Sequence, residues 1–252
     1  MFGDQLKTKE ECEDFDMEWI EEQHLLTDEK LMQGEELLNV IVQNIFRKAQ
    51  VEKEYCIFYG DLCEKMIKLE LDLKDLNKSV INMKKSAFRK ALFDNSKMCF
   101  EKFFDVDEKA KSKESMERAI LFKLKLYGNL EFVGELFRRK ILPETVLISV
   151  FQGLLGMSEI NDIIDDLGVE GAVQLMNKVG LEFETRTAGK DEKLKNFNNI
   201  LNKFTELENL SHEDLITNRI KILIKNMFTN KKSGWLKTKD INEGGPKTKK
   251  EV

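Results

Sequence analysis

The stretch that most constrains the fold is Gly128 to Pro143, G-N-L-E-F-V-G-E-L-F-R-R-K-I-L-P. Leu130, Val133, Phe137 and Ile141 recur at helical spacing and make one apolar stripe. Phe132 and Leu136 widen it beyond a coiled-coil seam, so the helix must be packed on most of its sides. Gly134 sits inside the pattern, where glycine costs roughly 1 kcal/mol against alanine. Its bare alpha carbon would let a neighbouring helix come close. Arg138, Arg139 and Lys140 crowd the last turn, where cations complement the helix dipole. Pro143 pushes Leu142 out of the helical region, so this helix ends there and a new one follows at once.

A chain that buries such a helix needs others around it. The 252 residues suffice for one large or two small domains, with a core that needs no staples. Two prolines and 35% charged residues, together with many Leu, Ile and Phe, point to an all-helical protein. No apolar run approaches the ~18 residues of a membrane span, and the N-terminus lacks the pattern of a signal peptide. Cys12, Cys56, Cys63 and Cys99 form no C-x-x-C pair and read as small hydrophobes, as expected in a reducing compartment. Charge is unevenly placed. Residues 1–40 carry about thirteen acids against three bases, and residues 219–252 about ten bases against three acids. The basic end is either a solvated face or a surface for an anionic partner.

Along the chain, periodicity predicts a thin, acidic helix over Glu10 to Leu25, with Phe15, Trp19 and Ile20 on one side. The next helices run to about Ala49 and from about Lys53 to Leu69, with Leu69 to Asn77 as a connection. A longer helix, about Val80 to Phe104, has a basic side of Lys84, Lys85, Arg89, Lys90 and Lys97. Asp105 to Ser115 is charged and poor in apolar residues. From Met116 one helix carries its stripe through Gly128 into the opening stretch. Pro143 to Leu155 starts with proline where the missing N–H costs little. A short helix, Ser158 to Asp166, leads to another over Gly168 to Leu181, a loop over Glu182 to Lys190, and a helix over Asp191 to Asn209. Ser211-His-Glu-Asp214 has the form of a capping box ahead of a helix over Leu215 to Phe228, which makes His212 a helix-start residue. Trp235 is the only large aromatic of the tail, and reads as a cap on the last hydrophobic face. Helices of this length joined by short loops have the pattern of an α-solenoid, and about nine or ten of them are too many for the rival four-helix bundle.

Enzyme motifs are missing: there is no phosphate-binding glycine loop, no H-E-x-x-H and no G-x-S-x-G. His24 and His212 are too few for a His-rich metal site. No cofactor, metal or catalytic residue is expected, and the chain reads as a non-enzyme.

Three segments carry a family resemblance. F-V-G-E-L-F-R-R-K-I-L at 132–142, R-I-K-I-L-I-K-N-M-F-T-N-K-K-S-G-W at 219–235 and G-G-P-K-T at 244–248 resemble, in order, motifs of the middle domain of eukaryotic translation initiation factor 4-gamma. I-F-R-K-A at 45–49, with Tyr59 and Cys63 following, is similar to the second repeat of that domain. The resemblance spans roughly Leu26 to Thr248 and sets boundaries: 1–25 an acidic segment or shortened first repeat, 26–230 the HEAT-repeat domain, 231–252 a basic tail. It implies an all-α solenoid of about five HEAT-like antiparallel helix pairs, a crescent that holds both lobes of the DEAD-box helicase initiation factor 4-A and touches messenger RNA, in the cytoplasm. The initiation factor 3 complex is a further partner in this picture, and a membrane is not. Helicase contact would fall to Glu135, Arg138, Arg139 and Lys140, which can reach solvent at a helix end, and to Arg219, Lys221 and Asn226, although Asn226 stands where the family has aspartate. RNA contact would fall to Lys84, Lys85, Arg89, Lys90 and Lys247. Phe132, Gly134, Phe137 and Trp235 would be structural. The chain is expected to be either an excised middle domain or a short divergent protein. The alternative function is a stand-alone RNA-binding module, or a competitor of the full-length factor, without helicase binding.

Overall fold

A computed structural model describes residues 34–75, 86–104, 116–158, 164–210 and 215–235. The expected helix over Glu10 to Leu25, the segment Asp105 to Ser115, the middle of the expected helix Ser158 to Asp166, and the capping sequence Ser211 to Asp214 lie outside them. So do Lys84, Lys85 and Lys247. The chain divides into two units, Met1–Leu37 and Leu38–Val252, and the second carries the architecture described below.

Among the described residues all regular structure is helical: α1 (Gly34–Val51), a 3-10 turn at Lys53–Tyr55, α2 (Cys56–Asp75), α3 (Ala87–Phe104), α4 (Met116–Arg138), α5 (Glu144–Leu154), α6 (Asp166–Thr187), α7 (Asp191–Asn209) and α8 (Asn218–Lys232). The even-numbered helices pack in sequence, α2 on α4, α4 on α6 and α6 on α8, and make one row. In a second row α3 packs on α5 and α5 on α7; α3 also touches α2 and α4, α5 touches α6, and α7 touches α6 and α8. This two-row stack of helix pairs is the arrangement of an α-solenoid.

The rows are joined by a continuous core. Phe183 of α6 is its hub, edge-on to Phe137 of α4 at 5.8 Å and to Phe197 of α7 at 5.0 Å, and stacked on Phe151 of α5 at 6.0 Å. Edge-to-face pairs of this kind add about 0.5–1.5 kcal/mol beyond area burial. Phe46 of α1 meets Phe132 of α4 edge-on at 4.9 Å. α4 runs unbroken through Gly128, where a side chain would lie on the Gln50 backbone of α1.

Some boundaries differ from the expectation. Glu182 to Lys190 is not a loop: α6 continues to Thr187, because Phe183 and Thr187 are fully buried. The Thr187 hydroxyl donates to the Phe183 carbonyl at 2.8 Å, which satisfies it inside the helix. Leu69 to Asn77 is not a connection up to Asp75, since Leu71 is buried in the core and keeps α2 going. α3 starts at Ala87 rather than running on from Val80 as one described helix, with Ser86 as its cap: the Ser86 hydroxyl accepts from Arg89 N at 3.0 Å. The Glu70 carboxylate of α2 accepts from Ala87 N at 2.9 Å and from the Ser86 hydroxyl at 2.5 Å, so the two helices share that cap. The last helix starts at Asn218, not Leu215, since the Thr217 hydroxyl and backbone N donate to Asp166 at 2.6 and 2.9 Å.

Candidate partner-binding surface

The end of α4 and its link to α5 gather most of the charged chemistry. α4 closes in a Schellman turn: Ile141 N donates to the Leu136 carbonyl at 3.0 Å and Lys140 N to the Phe137 carbonyl at 2.8 Å. Lys140 holds the left-handed position of this turn at φ 62°, where glycine is usual. A lysine there projects a charge from the tip of the turn, and Lys140 is exposed.

Glu135 corrects the expectation. It does not reach solvent but is 2% exposed, because it lies one turn back on the face that meets α6 and α2. Lys178 of α6 is 2.6 Å from its carboxylate, Arg138 is at 3.3 Å, and Arg139 is paired with it as well. Burial pushes the Glu135 carboxyl up, but Lys178 and Arg139 outweigh burial and hold it below the ordinary range. Arg139 is committed rather than free at the helix end. Its guanidinium also donates to Asp61 at 2.7 Å and to the Ile57 carbonyl at 3.0 Å on α2. Gly60 makes room for it, since a Cβ there would fall 2.9 Å from the guanidinium carbon. Of this predicted quartet, Arg138 and Lys140 remain at the surface.

Gly134 faces α6. A Cβ on it would come within 2.7 Å of Lys178 Cδ and 3.4 Å of Leu175. Lys178 is not free to step aside, being ion-paired to Glu131 and Glu135. Phe132 and Phe137 are fully buried.

The link itself is held from two sides. Arg186, near the end of α6, donates to the Phe137 carbonyl at 3.1 Å and the Leu142 carbonyl at 3.2 Å, with its guanidinium 4.1 Å from the centre of the Phe137 ring. Its Nε also donates to Glu144 at 3.1 Å. From α3, Arg89 donates to the Ile141 carbonyl at 2.7 Å. Arg89 is thus half-buried and engaged in the fold, which corrects its placing on an open basic face; Lys90 beside it is exposed. Glu144 is buried and also receives Lys193 at 2.9 Å, with Lys190 at 4.0 Å. Burial alone would raise its carboxyl, but hydrogen bonds from Lys193 and its own backbone, with Arg186 nearby, bring it down to about 2.

The predicted positions on α8 lie elsewhere. Arg219 forks onto Glu170 at 3.1 and 2.8 Å, and this bond holds the Glu170 carboxyl down at about 2. Lys221 donates to the Leu210 carbonyl at 2.6 Å, and Asn226 is exposed. Glu170 and Arg186 stand sixteen residues apart on α6, so Arg219 and the α4–α5 link are separated by roughly 24 Å along that helix. Trp235 is 3% exposed, donates its indole N–H to Glu184 at 3.0 Å, and covers Gly180, where a Cβ would be 2.6 Å from the ring.

Sequence reasoning missed Lys178, Arg186, Lys193 and Glu144. Arg186 fell in a stretch with the single large apolar residue Phe183, and nothing in its spacing distinguishes it from a surface cation. Among the described residues no group of His, Cys, Asp and Glu could hold a metal ion. Cys56 and Cys63 are fully buried, and that burial pushes their thiols up to about 12. No described helix is long and apolar enough to cross a membrane.

No family model matches the chain. It is 24% identical over 234 residues to mouse eukaryotic translation initiation factor 4 gamma 1, covering 85% of this chain and 13% of that protein. It is 24% identical over 226 residues to eukaryotic translation initiation factor 4G of Arabidopsis thaliana, covering 85% of this chain and 12% of that protein. A von Willebrand factor A domain-containing protein of Dictyostelium discoideum is 24% identical over 229 residues, with 89% of this chain and 10% of that protein covered. The chain therefore spans a small part of the length of these relatives. Among solved structures, the MIF4G domain of Trypanosoma cruzi translation initiation factor EIF4G5 superposes with a TM-score of 0.51 at 19% identity, covering 88% of this chain and 91% of that one. The fold of this chain is that of a MIF4G domain, and its sequence is similar, over most of its own length, to eukaryotic translation initiation factor 4 gamma.

Proposed function

We propose that this chain is a translation-initiation scaffold that binds and stimulates the DEAD-box RNA helicase initiation factor 4-A and contacts messenger RNA in the cytoplasm. The observation that supports it best is the α4–α5 link, where Arg138 and Lys140 stand exposed on backbone tied down by Arg89 and Arg186. A contact presented on fixed backbone loses little freedom on binding. Arg219 and Asn226, on α8, offer a second contact distant from the first. A scaffold that grips two lobes at separate points raises the population of their productive arrangement, with no chemistry of its own. Moving such an equilibrium from 1:99 to 99:1 takes about 5.5 kcal/mol of differential binding. In this reading residues 26–230 form the working domain, 1–25 and 231–252 flank it, and the initiation factor 3 complex is a further partner.

A pull-down with the helicase in the presence of nuclease tests this. Retention and faster ATP turnover by the helicase are expected, with none by the chain alone. Loss of the helicase on nuclease treatment would sink the scaffold. It would favour the second reading, a stand-alone RNA-binding module, which the cations around Glu144 support.

A further inference from the structure

One helix of this molecule carries two apolar stripes. Cys56, Gly60, Cys63, Ile67 and Leu71 turn one side of α2 into the core. The second stripe is Tyr55, Phe58, Leu62 and Leu69, each between 43% and 56% exposed. The turn at Lys53–Tyr55 runs straight into α2, since Cys56 is already in helical conformation. Helical spacing therefore puts the four side chains on one face. The Tyr55 and Phe58 rings, with centroids 6.1 Å apart, open one aromatic surface. Leu62 lies about 160° around the helix from Gly60, where Arg139 of α4 packs, so the stripe points away from the next helix of its row. Among the described helices α2 begins that row and α8 ends it. In its middle turns α8 exposes Lys225, Asn226 and Thr229 beside Ile222, the kind of polar face that the end of a solenoid needs in water. α2 offers instead an apolar stripe of about 21 Å, which marks an interaction site.

We propose that this stripe pairs with the same stripe of a second copy of the chain, the two α2 helices running antiparallel about a two-fold axis. In such a contact every pair of residues occurs twice, so the face must complement itself. The charges along α2 do so. Glu54 lies beside the stripe near its start, Lys68 beside it near its end, and Lys65 within it, all three exposed. With Phe58 set against the partner's Leu62, Tyr55 falls against the partner's Lys65 and Glu54 against the partner's Lys68. The first is a cation–π contact, and the second an opposite-charge pair flanking the seam. A parallel arrangement would press Lys65 on the partner's Lys65 and Glu54 on the partner's Glu54. Asp61 flanks the axis and would meet its own copy, but Arg139 already pairs with it at 2.7 Å. Lys68 is paired within α2 to Glu64 at 2.5 Å, which holds its charge beside the seam. Apolar and aromatic side chains at the centre with charges at the rim are the anatomy of a protein interface. This pairing is independent of the helicase and of RNA.

The test is analytical ultracentrifugation of the full chain over a concentration series. Two stripes of this length make a small interface, so half-dimerisation is expected on the order of 10 μM, with the mass rising toward twice 29.4 kDa. F58E/L62E should stay monomeric throughout the series. Its thermal midpoint, read at about 1 μM where both chains are monomers, should match the wild type, because both side chains are exposed. That match separates a lost interface from a lost fold. E54K and K68E should each weaken the dimer about tenfold, since each sets like charges face to face twice. The double swap E54K/K68E should restore it, which a parallel pair would not allow. A wild-type chain that is monomeric at about 200 μM would overturn the proposal, being well above the range expected of it. So would a dimer indifferent to F58E/L62E, or one that the double swap fails to restore. A monomer whose retention of the helicase is lost in F58E/L62E would also overturn it, and would assign the stripe to the helicase.

Discussion

Two helices of this molecule end in the same hydrogen-bond pattern and put it to different uses. At the end of α8, Trp235 N donates to the Asn230 carbonyl at 2.8 Å and Gly234 N to the Lys231 carbonyl at 2.9 Å, with Gly234 in the left-handed position. The residue that follows is buried Trp235, and the nearby Lys231 pairs with Glu184 at 2.7 Å. That end is a seal. At the end of α4 the left-handed position holds exposed Lys140, and the residue that follows is buried Ile141. Here the backbone is tied by arginines from other helices, and cations stay at the surface. The difference teaches that a termination motif sets the path of the chain, while the residue in its left-handed position decides whether the tip is closed or charged.

The largest effect should come from breaking the seal. Trp235→Ala removes a buried indole and leaves Glu184 without its N–H donor, and should cost about 3–5 kcal/mol in urea unfolding. A cost below ~1 kcal/mol would mean that the ring does not close α8. At the other end, Arg186→Ala frees two carbonyls and weakens the pairing of buried Glu144. A loss of about 2–4 kcal/mol is expected, because a buried group that loses its partner keeps its desolvation penalty. A shift in thermal midpoint as small as that of a surface mutant would show that the link stands without its clamp.

Glu144 adds a pH signature. Its folded carboxyl is depressed to about 2 from an ordinary 4.5, so its contribution is fully present above about pH 4.5 and is lost as pH falls toward 2. Glu144→Gln should make stability flatter in that window than the wild type, and parallel acid-unfolding curves would refute the assignment. Next in size is Gly134→Ala. The added methyl would press on Lys178, held by two carboxylates, and overpacking of this kind costs ~1–3 kcal/mol. A gain in stability would mean that Lys178 moves away freely. The smallest effect sharpens the comparison directly. Lys140→Gly relieves a left-handed lysine and should stabilise by up to ~1 kcal/mol, whereas Gly234→Lys should cost about as much. Changes of the same sign in both variants would show that the two turns are not equivalent.

Much of this is legible in the sequence. The period of Leu130, Val133, Phe137 and Ile141 marks a buried helix, and the phase of the stripe through Gly128 marks it as one helix from Met116. The end of α6 was not legible. Glu182 to Lys190 offers Phe183 as its single large apolar residue, and that residue turned out to join four helices. Periodicity needs several apolar residues to register, and a helix end anchored by one ring and one threonine falls below it. The capping of α3 by Glu70 was equally hidden, because a carboxylate on another helix has no local signature.

The sequence by itself determined that the chain is all-helical, where most helices lie, and which faces are apolar, because those follow from local propensity and a 3.6-residue period. It could not say which charges are free. Glu135, Arg138, Arg139 and Lys140 read alike as a charged helix end, yet Glu135 is buried against Lys178, and Arg139 reaches Asp61, 78 residues away in the chain. Arg186 likewise finds Glu144 across 42 residues. The fate of a charge depends on the partner and the solvent it meets, and both are supplied by distant parts of the chain once the helices have stacked.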